Sequence, residues 1–345
     1  MNNLYTADGW PNIEYIDSLG CWCNILISAR QVGKTFSTLK YIMENDRQLL
    51  FTRRTKHELK SISSSMILNP FEKLSRVGIN AMLTGSPDES MEINEYIIED
   101  KKRKPTDKLY GIATSLTEIA TVRGFNGDVF TDWVFDEFIP EKIVITRKAE
   151  GDAFLNAHVT VNSNRELEGQ DPIKLWLLAN TNNINSPILD ALNIVDDILF
   201  MRRKGLEELK TWDGVFIGQL KAEKIIEKRK ETVLMRRISK DSDFYGMAID
   251  NNWAYDESPY IKTLSIKNML PAWNYNNIIY CWQRPGGYYI CRAPFKGGDR
   301  YKGTRPDKER LAMEYSIMKP YYYAGEVFFS DLKTLSLFKD IFTIN

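Results

Sequence analysis

Histidine and cysteine are scarce in this 345-residue chain: there are two histidines, His57 and His158, and four cysteines. The histidines lie far apart in sequence. Cys21 and Cys23 flank Trp22, and Cys281 and Cys291 stand on either side of an "RPGG" turn, so no C-x-x-C pair exists. That excludes the familiar zinc spacings and a disulfide framework, and predicts buried or half-buried free thiols. Long apolar runs are missing too. The longest is strand-sized, far short of the roughly 20 residues a membrane helix needs. The opening "MNNLYTADGWPNIEYID" has no basic-then-apolar leader pattern, so we expect a cytoplasmic protein with no part in a membrane. Net charge is absent: 46 Lys and Arg balance 46 Asp and Glu. Any affinity for nucleic acid must therefore come from local patches. No internal repeat, low-complexity tract, or serine or cysteine nucleophile motif appears. What remains is 43% hydrophobic and 27% charged, enough to bury a sizeable core in one large domain or two.

Up to about residue 200, strand-like apolar runs at 21–27, 48–52, 96–99, 133–135 and 175–179 alternate with helical patterns such as 34–45. That alternation predicts an α/β fold with a parallel sheet. Residues 201–240 are charge-dense and helical in propensity, which predicts a linker or small lid. From 241 to 345 strands and turns return. "NNIIYCWQRPGGYYICRAPF" reads as a hairpin around Pro285, Gly286 and Gly287, and "KERLAMEYSIM" as a later helix.

"SARQVGKTFS", residues 28–37, follows the first apolar run directly. A phosphate cradle needs inward backbone N–H groups, a helix N-terminus, a lysine for the phosphates and a hydroxyl for magnesium. Gly33, Lys34 and Thr35 supply the second half of that pattern; Ser28 stands where glycine is usual. About a hundred residues on, "TDWVFDEF" is an apolar strand ending in Asp136 and Glu137. In one large class of P-loop ATPases the aspartate helps to hold Mg2+ and the glutamate polarises the attacking water. The pairing of the two motifs predicts ATP as substrate and Mg2+ as cofactor, with hydrolysis favoured over phosphoryl transfer. "KLWLLANTNN" ends in Asn180, which can sense loss of the terminal phosphate or simply cap its strand.

"ISARQVGKT", with Arg30 inside the loop, followed by "VRGFNGDVFTDWVFDEF", resembles the large terminases that drive viral DNA into capsids. The likeness is closer to the φ29-type phage DNA-packaging ATPases. It rests on the loop, on Arg53, Arg54, Lys56, Glu58 and Leu59 after the second strand, on "VFDEFIPEK" and on "NRE" at 164–166. It runs through most of the first 200 residues and thins beyond them. The resemblance implies a P-loop ATPase domain of the class with an additional catalytic glutamate, then a smaller α+β domain of RNase H-like type. It further implies a homo-oligomeric ring, pentameric in that family, docked on the capsid portal, with double-stranded DNA as partner; a packaging RNA is a further candidate partner, and the sequence leaves open whether one is needed. Such a protein works in the host cytoplasm, transiently bound to the procapsid. A neighbouring subunit would supply a positive charge to the transition state; Arg123 is the first candidate, Arg165 the second and Lys56 the third. Lys142 matches a lysine of the family's DNA channel loop. The run Lys101, Lys102, Arg103 and Lys104 is a second set of phosphate contacts, or a solvated turn.

Terminases carry a metal-dependent nuclease in the C-terminal domain, whereas the φ29-type enzymes lack its metal cluster. Asp250 has no acidic partner on the strands that follow, and Asp299, Asp307, Glu326 and Asp331 are scattered, so we expect a non-cleaving domain facing nucleic acid and capsid. The leading expectation is an ATP-driven DNA translocase. The alternatives are a terminase with nuclease activity, another P-loop ATPase such as a helicase, and a nucleotide-binding assembly protein that hydrolyses slowly or not at all.

Overall fold

Several short apolar runs in the first 220 residues are buried on both faces, as central strands of a parallel sheet covered by helices must be. The computed structural model describes residues 3–119, 127–140, 149–181, 184, 186–239, 242, 245 and 257–344. Its first unit, Met1–Ala254, is built on the strands β1 (Cys23–Ser28), β2 (Leu49–Arg53), β3 (Ala81–Thr84), β4 (Met91–Glu99), β5 (Lys102–Ser115), β6 (Asp132–Asp136), β7 (Lys174–Asn180), β8 (Glu208–Lys210) and β9 (Val215–Leu220). They form one sheet in the order β3-β4-β5-β2-β6-β7-β1-β9-β8. Pairing is parallel from β5 through to β9 and antiparallel for β3–β4, β4–β5 and β8–β9. The fold is thus the α/β architecture expected. The predicted strand at 96–99 is the end of β4, in the antiparallel β4–β5 pair and not in the parallel core.

The expectation for 201–240 needs correction. The end of the helix Val195–Lys204 and the whole of Glu223–Lys230 fall there as propensity suggests. Between them, however, β9 lies parallel to β1 inside the sheet. "VFIGQL" is only six residues long amid dense charge, so averaging over a window conceals it. The two compact units divide between Ala254 and Tyr255, not at 200 and 240.

The second unit, Tyr255–Asn345, has a smaller sheet of β10 (Leu270–Tyr275), β11 (Ile279–Arg284), β12 (Gly287–Cys291), β13 (Asp299–Tyr301) and β14 (Val327–Phe329), in the order β13-β10-β11-β12-β14. The hairpin at Pro285–Gly286 joins β11 to β12 as expected, closed by Arg284 opposite Gly287. The later helix, Arg305–Glu314, starts three residues before its predicted position because Thr304 caps it, accepting from the Asp307 N–H. All four cysteines are buried free thiols. Among the described residues no helix is long and apolar enough to cross a membrane.

Candidate nucleotide site

The loop 28–33 leaves the carboxyl end of β1, the position at which open α/β sheets bind ligands. Gly33 sits at φ +90° and caps the helix Lys34–Glu44. The edge of the Trp10 indole lies against it: a Cβ on Gly33 would come within 2.5 Å of the ring. Both the left-handed backbone and the close approach require glycine there.

Lys34 is 6% exposed. Its Nζ donates to Ser28 Oγ at 2.6 Å, to the Ala29 carbonyl at 3.3 Å, to Asn180 Oδ1 at 3.3 Å and to the Ser28 carbonyl at 3.5 Å. All four partners are neutral oxygens. Burial drives this amine down to about 7, opposed by the nearby charges of Asp136 and Glu137. A sealed cation bonded only to neutral groups is the complement of a phosphate anion. Ser28 therefore holds the lysine where a glycine could not.

β6 and β7 deliver the carboxylates and the amide to the same sheet edge. Thr35 Oγ1 donates to Asp136 Oδ1 at 2.8 Å, so hydroxyl and carboxylate already converge as a P-loop magnesium site demands. The donor set fits Mg2+. Burial raises the Asp136 carboxyl, partly offset by Arg53. Glu137 follows with its backbone at φ +54° and a side chain 45% exposed. A non-glycine residue held in that region is strained, and such strain clusters at functional sites.

Sequence reasoning counted Arg53 only among the residues that carry the resemblance and missed its place at the site. Its guanidinium spans both carboxylates, with Nη2 at 2.9 Å from Asp136 Oδ2 and Nη1 at 2.6 Å from Glu137 Oε2. The register of β2 against β6 pairs Thr52 with Phe135, which brings the next residue, Arg53, beside Asp136. Burial lowers Arg53, but Asp136 and Glu137 raise it by more.

The other sequence candidates are dispersed. Arg30 gives its carbonyl to Arg229 Nη1 at 2.6 Å. Lys56 is exposed and pairs with Glu118 at 2.6 Å. Arg165 is buried, donating to the carbonyls of Gly127 at 3.1 Å, Asp128 at 2.9 Å and Phe130; it ties down the approach to β6 and turns away from solvent. Arg103 is held by Glu72 at 2.5 Å and stacks on Tyr96, and Lys104 pairs with Glu99 at 2.6 Å. Lys101 and Lys102 are exposed at the β4–β5 turn, where Asp100 and Lys101 both have positive φ. Arg123, Lys142 and Asp250 lie outside the described residues. In the second unit, Asp299 accepts from Tyr315 at 2.7 Å, the Asp307 carboxylate accepts from the Lys302 N–H at 2.9 Å, Glu326 pairs with Arg284 at 3.1 Å, and Asp331 caps the helix Leu332–Phe342.

A central parallel sheet, a lysine-bearing loop after β1 and a carboxylate pair at the end of β6 define a P-loop ATPase fold. The family model for the podovirus DNA encapsidation protein (Gp16) matches residues 10–284, and the chain belongs to that family. Two solved assemblies share its fold. The bacteriophage Phi-29 viral genome packaging motor assembly is 21% identical with a TM-score of 0.63, over 96% of this chain and 99% of that one. The Phi-28 gp11 DNA packaging motor is 17% identical with a TM-score of 0.58, over 100% and 99%. No curated protein sequence is similar enough to match.

Proposed function

We infer that this chain is the ATP-hydrolysing subunit of a motor that moves double-stranded viral DNA through the portal of an empty capsid. The observation that carries the reading is Lys34, a buried cation with neutral partners beside Thr35, Asp136 and Glu137, in a chain of the DNA encapsidation family. Lys34 and the backbone of 28–33 hold the phosphates. Thr35 and Asp136 are the residues that would hold Mg2+, which supplies charge neutralisation to the phosphates when bound. Glu137 orients a water molecule and accepts its proton. Asn180, already bonded to Lys34, is placed to report loss of the terminal phosphate. The Arg53 pair restrains Glu137, so movement of β2 or its following loop would alter the base.

The motor assemblies of the similar folds support a packaging role for an assembly of copies. The arrangement proposed is a ring, of five by the resemblance, with the portal and duplex DNA as partners in the infected host's cytoplasm, and a packaging RNA is a further candidate partner. A neighbour's Arg123 remains the first candidate for the trans-acting charge, since Arg165 and Lys56 are engaged elsewhere. Lys142, with Lys101 and Lys102, would contact DNA phosphates, and Arg103 and Lys104 are less available because they are paired. Such contacts accept any sequence, as packaging requires. The second unit serves as a non-cleaving docking domain.

The test is ATP hydrolysis by the chain with empty capsids, with and without duplex DNA. Stimulation by DNA that survives a change of sequence and weakens with salt is expected. A rate indifferent to DNA favours an assembly protein that uses ATP to hold its ring together, and removes the motor.

A further inference from the structure

The two flanks of β1 are chemically unlike. On one side lie β7 and β6, bringing Asn180, Asp136 and Glu137; on the other lies β9 with the segment that follows it. A triphosphate whose terminal phosphoryl group faces Glu137 must point its nucleoside toward β9. This inference rests on the ATPase reading above.

The β9 flank is built from the start of the chain. Residues 6–10 form a tight turn, with the Thr6 N–H donating to the Trp10 carbonyl at 2.8 Å and the Trp10 N–H to Thr6 Oγ1 at 3.2 Å. The turn is fastened to the exit of β9. Tyr5 Oη accepts from the N–H groups of Lys221 at 2.8 Å and Ala222 at 3.0 Å and donates to Glu207 at 3.0 Å. Lys224 Nζ donates to the Ala7 carbonyl at 2.9 Å, and its Cβ packs so tightly on Gly9 that a side chain there would come within 2.8 Å. Arg229, near the end of the same helix, donates to the carbonyl of Arg30. This scaffold presents Trp10, whose ring edge meets Gly33 of the phosphate loop while 42% of the residue stays exposed. A large ring held rigidly at the rim of an anion cradle, with much of its surface open to water, is a stacking platform in search of a second ring.

We propose that Trp10 is the nucleobase platform of the site, stacking on the purine of the bound nucleoside triphosphate. Stacking of one base on an aromatic side chain accounts for a roughly five-fold to hundred-fold change in affinity on truncation. It adds nothing to the binding of a phosphate chain without a base. That asymmetry is the test.

Calorimetric titration of the full chain with ATP and, separately, with inorganic tripolyphosphate should show Trp10→Ala weakening ATP by about tenfold or more, with tripolyphosphate bound as by the parent. Trp10→Phe should retain most of the ATP affinity. Trp10→Leu, which still covers Gly33 with an apolar side chain but has no π-face, should resemble Trp10→Ala. Equal losses for ATP and tripolyphosphate would mean that Trp10 only shapes the loop, and would overturn the proposal. So would a Leu variant that binds ATP as well as Phe does. A parent chain that binds neither ligand would overturn the ATPase reading itself, a result distinct from either of these.

Discussion

β6 has an aspartate at each end, and the two ends follow different electrostatic rules. At its start, Asp132 is fully buried and accepts from Arg47 at 2.7 Å, Thr131 at 2.8 Å and Trp176 at 2.8 Å. Arg47 continues to Asp17 at 3.1 Å, and Asp17 also takes Lys174 and the Tyr41 hydroxyl. Two carboxylates meet two cations, and the network closes on itself. At the other end, Asp136 and Glu137 share Arg53 while Lys34 is left with neutral oxygens. Burial raises both Asp132 and Asp136, so a perturbed carboxylate alone does not distinguish them. What distinguishes them is closure. A satisfied buried network holds a fold together, whereas a buried cation awaiting an anion is arranged for a ligand.

The sharpest way to break this contrast is catalytic. Glu137→Gln keeps the shape and loses the base, so hydrolysis should fall by about 10²- to 10⁴-fold with ATP still bound. Lys34→Ala should lose nucleotide binding itself. Asp132→Asn should hydrolyse normally per folded molecule. Steady-state rates and a fluorescent-nucleotide titration check all three. If Asp132→Asn lost hydrolysis with its fold intact, the two ends of β6 would not be separable.

Stability supplies the next comparison, with opposite signs expected at the two ends. Asp132→Ala leaves Arg47 with Asp17 alone and the buried Trp176 indole N–H without its acceptor, and should cost about 1–3 kcal/mol. Lys34→Met removes a cation that burial disfavours and should be neutral or stabilising in the absence of nucleotide. Denaturant melts of both variants measure this. Equal destabilisation would mean that Lys34 is already compensated, and that the open end is as closed as the other.

The halves of this comparison were unequally legible in the sequence. The loop and the Asp136–Glu137 pair could be read because each is a local pattern with a chemical reason for its spacing. Arg53 could not, because its role depends on β2 lying next to β6, a non-local pairing with its own register. The closed network is invisible for the same reason: Asp17, Arg47, Asp132 and Lys174 come from four separate segments. β9 was obscured by its charged neighbours. Trp10 carried no signal at all, since an aromatic residue in an N-terminal turn acquires meaning only from the glycine it touches.

The smallest expected effect concerns the middle of β6, where a third ionisable group packs. His158, on the helix Ala149–Asn162, lies with its ring centroid 6.1 Å from that of Trp133 and 5.2 Å from that of Trp22. Burial lowers its pKa below the usual 6.5, and the charge of Glu166 opposes this only in part. The unfolded chain therefore takes up this proton at higher pH than the folded one. Stability should fall as pH drops through 6.5 toward the folded value and level off on either side of that window. The buried carboxyl of Asp132 acts with the opposite sign, because its raised pKa favours the folded state as pH falls toward 3.8. Raw melting curves mix the two, so the informative quantity is a difference. Melting temperatures of the parent and of His158→Leu should converge, or cross in favour of the variant, between about pH 7 and pH 5. His57 is exposed and far from β6 in the chain, so it contributes equally to both proteins. A parent-minus-variant difference that stays constant across that range would mean that His158 takes up its proton at the same pH folded and unfolded, and that burial in the middle of β6 does not disfavour its charge.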